Sequence, residues 1–344
     1  MRIERFDYDL PKELIAQYPP ARREDARLLV VDRSKGRFYH ENFPAIKKYL
    51  RAGDALVVND TRVLPARLVG SRIRTGGRWE GLFLRVVEDG WEMLCKTRGR
   101  MEVGEDVSIE GADVSMKLIR RTENGHWIMA PSDPSLDPHS ILERAGRTPL
   151  PPYIRGGIAV EQDRVRYQTV YAETPGSIAA PTAGLHFTDE ILRELDQVGI
   201  HRERVTLDVG IGTFLPVKSS QIEEHRMHEE RCELSAATAE RLNAVRVTGG
   251  RVVAVGTTTV RTLETAVNAE GRLQPFSGST SIFLTPGASI RAVDALVTNF
   301  HLPRSTLLML VCAFAGHELV MDAYKEAVKR DYRFFSYGDA MLVV

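Results

Sequence analysis

The sequence predicts a layered α/β domain, formed by both ends of the chain, into which an all-β barrel domain is inserted. Strand and helix patterns alternate over residues 1–65 and again over 151–344, which is typical of helices packed on a sheet. Residues 66–150 differ, because short alternating strands follow one another there with almost no helical period. We therefore predict two domains, a discontinuous α/β domain at 1–65 and 151–344 and a β-barrel at 66–150.

The first segment of the α/β domain contains three predicted strands and two short predicted helices. The strands cover 28–32, 37–42 and 55–59, and the helices cover 11–17 and 43–50. Pro11 fits the first turn of a helix, and Gly53 ends the second helix. The third strand leads into Asn59-Asp60-Thr61-Arg62. The carboxyl ends of strands are where open α/β sheets bind ligands.

Two hairpin signals support the barrel. Asp89-Gly90 separates two strand patterns, and Asn124-Gly125 separates two more. Both dipeptides favour two-residue hairpin turns, because both turn positions need a positive φ. The Pro-rich connectors PSDPSLDP and PLPPY mark the end of this domain.

After Tyr153 the sequence returns to alternating strands and helices. The strings SIAAP, RVTLDVG, RVVAVG and ALVTNF predict buried strands. Helices are predicted over 189–198, 237–247, 260–267 and, as one long element, 306–330. The alternation places these elements in the same layered sheet as the first segment.

The composition excludes several classes of protein. The chain carries 46 Lys+Arg and 46 Asp+Glu among 344 residues, which excludes a polycation or a charged tail but not a local basic surface. Cys95, Cys232 and Cys312 lack CxxC spacing, which disfavours a disulfide scaffold or a zinc ribbon and favours a reducing compartment. The start lacks an apolar signal region, and no apolar run approaches the ~20 residues of a membrane span. We expect a cytoplasmic protein.

Arginines are concentrated at the start of the predicted barrel. No acidic residue interrupts Arg62, Arg67, Arg72, Arg74 and Arg78. A second basic patch consists of Lys96, Arg98 and Arg100. Charge runs are usually solvated faces, but alternating arginines on β-structure also suit a surface that follows phosphates. The residues that we expect to contact nucleic acid are Arg62, Arg67, Arg72, Arg74 and Arg98.

Glycine and threonine motifs follow two predicted strands. Gly210-Ile211-Gly212-Thr213 follows RVTLDVG, and Thr257-Thr258-Thr259 precedes a predicted helix. Glycines let a ligand approach the backbone, and a helix N-terminus suits a carboxylate, a phosphate or a sugar hydroxyl. A tight turn and a helix cap are the structural alternatives. Arg261, one turn into the helix, could hold a carboxylate bidentately or pair with Glu264.

His186 lies in PTAGLHFT, between Thr182 and Thr188, at a predicted strand-to-helix junction. Thr188 followed by two acidic residues is a typical helix start. His186 is either a catalyst or a hydrogen-bonded structural residue.

The segment SQIEEHRMHEE contains two further histidines. Ser220 and Glu223 form a capping-box pattern, and His225 and His228 are predicted to share one helix face together with Glu230 nearby. A metal site or an acid–base group could form there. The spacing matches no common zinc set, and we expect no metal.

Longer strings carry a family resemblance. They are GDALVVNDTRVLPARL, GSIAAPTAGLHFT, DVGIGTFLPV, HRMHEE, VVAVGTTTVRTLE, LVTNFHLPRSTLLMLVCAFAG and YRFFSYGDAML. Over essentially its whole length the chain resembles the S-adenosylmethionine:tRNA ribosyltransferase-isomerase family of queuosine biosynthesis. Arg231 departs from the family, which more often has an aromatic residue there.

The resemblance implies a cytosolic enzyme with an α/β domain, an inserted barrel, and no metal or permanently bound cofactor; we expect a monomer. S-adenosylmethionine would donate its ribosyl group to 7-aminomethyl-7-deazaguanine at the tRNA wobble position. The products would be epoxyqueuosine-tRNA, adenine and methionine. One alternative is a methyltransferase with the same donor, but its usual glycine-rich loop is missing after the first strands. The other is a non-catalytic RNA-binding protein, which leaves the polar motifs of the α/β part unexplained.

The implied reaction requires a base for the ribose methylene beside the sulfonium and an acid for the departing adenine. Candidates that titrate usefully near neutral pH are His186, His228 and Glu230. Candidates for the ribose hydroxyls are Asp208 and Thr213, and those for the methionine carboxylate are Thr257, Thr258 and Arg261. The remaining donor-binding candidates are Thr182, Gly210 and Gly212. The identities of the base and the acid stay open.

Overall fold

The computed structural model describes residues 1–210, 212, 217 and 219–344, and it divides into two compact units. One unit contains Met1–Arg62 with Arg166–Val344, and the other contains Val63–Val165. Compared with the domain boundaries predicted from the sequence, residues 63–65 and 151–165 fall in the inserted unit.

The N-terminal part of the α/β unit confirms the three predicted strands. They are β1 (Arg27–Asp32), β2 (Arg37–Asn42) and β3 (Ala55–Asn59), followed by a short strand β4 (Thr61–Val63). The two predicted helices are instead 3₁₀ turns, at Lys12–Leu14 and Phe43–Lys48. Segments this short gain too few i→i−4 hydrogen bonds to offset the cost of nucleating an α-helix.

The inserted unit contains the predicted closed barrel. Its strands are β5 (Arg67–Arg72), β6 (Arg78–Val87), β7 (Gly90–Thr97), β8 (Asp106–Ile109), β9 (Ser115–Arg121) and β10 (Trp127–Pro131). They pair in the closed order β10-β7-β6-β5-β8-β9, and both predicted hairpin turns join paired strands. Apolar side chains such as Trp79, Met93 and Met116 are fully buried. Two short helices follow, α1 (Pro138–Ala145) and α2 (Asp163–Arg166).

The C-terminal part supplies most of the α/β unit. In order, it contains β11 (Thr174–Ser177), α3 (Asp189–Gln197), β12 (His201–Leu207), β13 (Glu230–Leu234), α4 (Ala236–Val247), β14 (Val252–Val255), α5 (Thr257–Ala266), β15 (Phe276–Thr280), β16 (Ala295–Asn299), α6 (Thr306–Ala315), α7 (His317–Lys329) and β17 (Ala340–Val343). SIAAP was predicted as a strand, and this is wrong. Pro181 cannot donate to a ladder, so the segment bends and leads into a 3₁₀ turn at Thr182–His186.

The predicted long helix at 306–330 is two helices. Gly316 separates α6 from α7 with φ +89°, a conformation that residues with a Cβ rarely adopt, and the helices meet at 118°. Within the described residues, no single helix is long and apolar enough to cross a membrane; α6 and α7 meet that criterion only as a bent pair, by length and composition.

The α/β unit is organised around a nine-stranded sheet in the order β15-β13-β12-β3-β14-β16-β17-β1-β2. Strands β12, β3, β14 and β16 are neighbours and run parallel. Their apolar runs are buried on both faces, as is usual for parallel strands; Leu56 and Val255, for example, pack in one core with Leu192 of α3. The carboxyl ends of four neighbouring strands therefore meet at one edge of the sheet.

Candidate functional site

Asn59 joins the ends of two strands and one helix at this edge. The side chain is fully buried. Its Nδ2 donates to the carbonyl oxygen of Leu207 at 3.0 Å and to Oγ1 of Thr258 at 3.3 Å. Its Oδ1 accepts from the backbone N–H groups of Leu207 at 3.0 Å and Thr61 at 3.2 Å. The amide thus uses its full hydrogen-bonding capacity and fixes the Thr258 hydroxyl relative to β12.

Asn59 was not among the candidate site residues. The sequence contained a signal for it, because a polar residue that directly follows a fully apolar strand at a sheet edge must be hydrogen-bonded there.

Asp208 lies beside this junction in a chain of hydroxyl groups. Its Oδ1 accepts from Oγ1 of Thr61 at 3.2 Å, and Thr61 Oγ1 lies 2.7 Å from Oγ of Ser177. Burial raises the pKa of Asp208, and the charges of Glu230 and Asp60 raise it further, against the opposing hydrogen bond from Thr61. Burial raises the pKa of Asp60 as well. This cluster of carboxylates favours a cationic ligand.

Arg261 and Glu230 form a buried ion pair near the same edge. Arg261 in α5 is 3% exposed, and Glu230 at the start of β13 is 6% exposed. Nη1 of Arg261 donates to Oε2 of Glu230, whose Oε1 accepts from the Gly210 N–H at 2.8 Å. Arg261 does not pair with Glu264, the alternative partner considered from the sequence, because the Glu264 carboxylate accepts from the backbone amides of residues 291 and 292.

The other edge of the Arg261 guanidinium is polar, buried and unpartnered. Nε and Nη2 have no hydrogen-bond partner among the described residues. Their N–H groups point in the same direction, which is the geometry that binds both oxygens of a carboxylate. The same edge of Arg72 binds Glu105 at 2.7 and 2.8 Å, and that of Arg241 binds Glu203 at 2.6 and 2.8 Å. The Arg261 edge therefore suits a carboxylate that a ligand brings.

The three threonines that precede Arg261 differ in what they contact. Helix α5 begins at Thr257, so the motif lies at a helix N-terminus as predicted. Thr257 and Thr258 are buried, and Thr258 is held by Asn59. Thr259 Oγ1 donates to the carbonyl of Val255 at 2.7 Å, so this hydroxyl is occupied within the helix.

His186 belongs to a buried network around Asn299, at the end of β16. Oδ1 of Asn299 accepts from Thr182 Oγ1 at 2.9 Å, and Nδ2 donates to the carbonyl of Phe335 at 3.2 Å. Nε2 of His186 lies 3.1 Å from the same Nδ2. Because Nδ2 is a donor, Nε2 accepts, and the imidazole proton is assigned to Nδ1. The ring also packs 5.2 Å from that of Phe43.

The surroundings of His186 keep the imidazole neutral. The residue is 3% exposed. Burial, with smaller contributions from the charges of Arg23 and Arg333, lowers its pKa to about 3. A neutral ring whose Nε2 is already occupied is poorly suited to exchange a proton near neutral pH. Its placement suits positioning of Asn299 and Thr182 better than acid–base chemistry.

The segment that contains His225 and His228 is not a helix, contrary to the sequence prediction. Only a 3₁₀ turn forms, at Ile222–Glu224, and Glu223 pairs with the N-terminal amine rather than forming the predicted capping box with Ser220. Backbone hydrogen bonds with residues 1–3 hold the segment extended. The two histidines therefore do not share a helix face. Among the described residues, no group of three His, Cys, Asp or Glu side chains could hold a metal ion.

His228 is exposed and lies against Gly212. A Cβ atom on Gly212 would fall 2.5 Å from Cδ2 of His228, so this close approach requires glycine. The structure thus brings His228 to the glycine motif that follows β12. Thr213 of the same motif lies outside the described residues.

The predicted nucleic-acid arginines divide into two groups. Arg72 is 5% exposed, and its guanidinium binds Glu105 together with the carbonyls of Arg98 and Arg100. The prediction that Arg72 faces a phosphate is therefore wrong, because a charge stripe in sequence does not reveal a buried partner. Arg67 is half-buried and donates to the carbonyl of Leu150 at 3.4 Å. Arg62, Arg74 and Arg98 are exposed.

Comparison with known proteins covers the whole chain. A family model described as queuosine biosynthesis protein matches residues 3–343. The S-adenosylmethionine:tRNA ribosyltransferase-isomerases of Symbiobacterium thermophilum and Moorella thermoacetica are each 50% identical to it, over 100% of both chains. The chain is also similar to the crystal structure of S-adenosylmethionine tRNA ribosyltransferase from Thermotoga maritima. That similarity has 38% identity and a TM-score of 0.56, and it covers 99% of this chain and 100% of the other.

Proposed function

The chain belongs to the queuosine biosynthesis protein family, and from this premise we propose that it transfers and isomerises the ribosyl group of S-adenosylmethionine onto tRNA. It is a transferase, and S-adenosylmethionine and tRNA are its substrates. The acceptor is the amine of 7-aminomethyl-7-deazaguanine at the wobble position. A bond to that amine forms, while the ribosyl bonds to adenine and to the sulfonium sulfur break. The products are epoxyqueuosine-tRNA, adenine and methionine.

The unpartnered edge of Arg261 is the observation that carries the donor site. S-adenosylmethionine ends in a carboxylate, and Nε and Nη2 of Arg261 supply a buried pair of parallel donors. Glu230 holds Nη1 and the Gly210 amide, so it orients the guanidinium and ties the glycine motif to it. We assign Glu230 to this positioning role rather than to proton transfer.

The carboxylates near Arg261 suit the rest of the donor. The sulfonium is a cation, and the Asp208 and Asp60 charges, together with Glu230, favour a cation at this edge of the sheet. Asp208 accepts only one hydrogen bond from a described side chain, that of Thr61, and a carboxylate can accept several. Asp208 is therefore placed to accept from the ribose hydroxyls.

His228 is the histidine best placed for proton transfer, because it is exposed beside Gly212 while His186 is buried. We expect His228→Asn to lower the rate of adenine release by roughly 10²-fold or more, the usual contribution of a general acid or base. The dissociation constant of the donor should change much less. His225→Asn, in the same segment, is the matched control and should retain most of the activity. A His228→Asn enzyme that turns over like the control would contradict this assignment.

Product analysis tests the function as a whole. The protein is incubated with S-adenosylmethionine and with tRNA that carries the aminomethyl base, and the small products are separated. The proposal predicts free adenine and methionine in equal amounts and a matching mass gain on the tRNA. A methyltransferase would release S-adenosylhomocysteine instead, and a non-catalytic RNA-binding protein would release neither.

A further inference from the structure

An open groove lies in the barrel unit, between the β7–β8 loop and the β9–β10 hairpin. Its volume is about 1160 Å³. Lys96, Arg100 and Arg121 line it, and Glu102 is the only acidic group among its described lining residues. Trp127, which is 7% exposed, adds an aromatic surface. We call this feature the barrel groove.

The cations of the barrel groove differ from other exposed cations of the same barrel. Lys96, Arg100 and Arg121 are exposed, and within the part of the chain that the structure describes none has a carboxylate within ion-pair distance. Elsewhere the barrel pairs its cations, as in Arg78–Glu80 at 2.9 Å, Lys117–Asp106 at 3.0 Å and Arg120–Asp89 at 2.7 Å. Positive charge that is not compensated inside the protein is thus concentrated at the groove.

We propose that the barrel groove binds single-stranded RNA of the tRNA substrate. Lys96, Arg100 and Arg121 contact phosphates, and a base packs against Trp127. This inference rests on the proposed function, which supplies the tRNA. It adds a binding surface that lies away from the donor site and from the buried Arg72.

The size and chemistry of the groove favour RNA over other ligands. Small-molecule sites are mostly apolar and measure about 300–1,000 Å³, whereas this groove is larger and carries several cations. Proteins that bind single strands combine a positive groove with aromatic side chains on which bases stack. Small antiparallel barrels are a common scaffold for such binding. An acidic peptide would use the cations but has no base to place against Trp127.

The test is a variant with Lys96→Ala, Arg100→Ala and Arg121→Ala, studied by tRNA binding across a salt series. We expect its affinity for tRNA to fall at least about tenfold at low salt. Its log–log salt slope should become shallower by about two units, from ~0.7 for each of three lost single-strand contacts. The matched control carries Arg78→Ala, Lys117→Ala and Arg120→Ala, which removes the same charge from paired sites. Thermal unfolding of both variants confirms that they are folded.

Each outcome has a distinct meaning. A selective loss of tRNA affinity in the groove variant, with donor binding unchanged, supports the proposal. Equal affinity in the groove and control variants would overturn it. Polyglutamate binding that matches tRNA binding in the wild type and disappears in the groove variant would replace RNA by an acidic peptide. A wild-type protein that binds no tRNA and releases no adenine would instead refute the proposed function.

Discussion

Arg261→Lys should weaken the binding of S-adenosylmethionine by roughly 10- to 100-fold. Lysine keeps the positive charge opposite Glu230, but it lacks the two parallel N–H groups of the Nε–Nη2 edge. A hydrogen bond to a charged group contributes about 1.5–3 kcal/mol, which corresponds to this range of affinity. Isothermal titration of the donor into both proteins measures the effect.

A donor that lacks the carboxylate separates this contact from general damage to the site. Decarboxylated S-adenosylmethionine should bind the wild type weakly, and Arg261→Lys should not weaken it much further, because the group that the edge binds is already gone. Arg241→Lys is the matched control, since Arg241 uses the same edge to bind Glu203. If Arg261→Lys weakened both donors by the same factor, the edge would not be the carboxylate site.

The second large effect is a loss of stability at acidic pH. Burial lowers the pKa values of His186 and His301 to about 3 each, whereas an unfolded histidine titrates near ~6.5. Below that pH the unfolded chain binds protons that the folded chain does not, so the free energy of unfolding falls as the pH falls. Each histidine contributes about 1.4 kcal/mol per pH unit. Between about pH 6.5 and 4.5 the pair should remove roughly 5 kcal/mol.

His186→Asn should change both the level and the slope of this stability curve. At neutral pH the variant should be less stable, because it loses the packing against Phe43 and the acceptor of Asn299. Between about pH 6.5 and 4.5 it should lose stability less steeply than the wild type, by about 1.4 kcal/mol per pH unit. Urea unfolding at stepped pH measures both quantities. His139→Asn, at an exposed position, is the control, and parallel curves for His186→Asn and wild type would contradict the assignment.

The sequence predicted the parts of the fold that depend on local patterns. The central strands β3, β14 and β16 are apolar runs that the structure buries completely, and both hairpin dipeptides lie at turns of the barrel. The helix predicted for His225 and His228 failed because a non-local contact decided the structure. Backbone pairing with residues 1–3 is invisible to a window of neighbouring residues, and it overrides a local capping pattern.

The site was predictable in its location but not in its internal pairing. Asp208, Gly210, Thr258 and Arg261 all belong to the carboxyl edge of the sheet, as strand-end motifs suggest. Their partners come from distant parts of the chain. Glu230 binds Arg261 from another strand, and no spacing rule connects the two. For the same reason the sequence placed His186 among the catalysts, since only packing shows that its ring is enclosed.

A structure of the protein with S-adenosylmethionine bound tests the central claim most directly. We expect the two oxygens of the methionine carboxylate to lie about 2.7–2.9 Å from Nε and Nη2 of Arg261, with the ribose hydroxyls on Asp208. A donor whose carboxylate lies away from Arg261, with that guanidinium edge still unpartnered, would contradict the account.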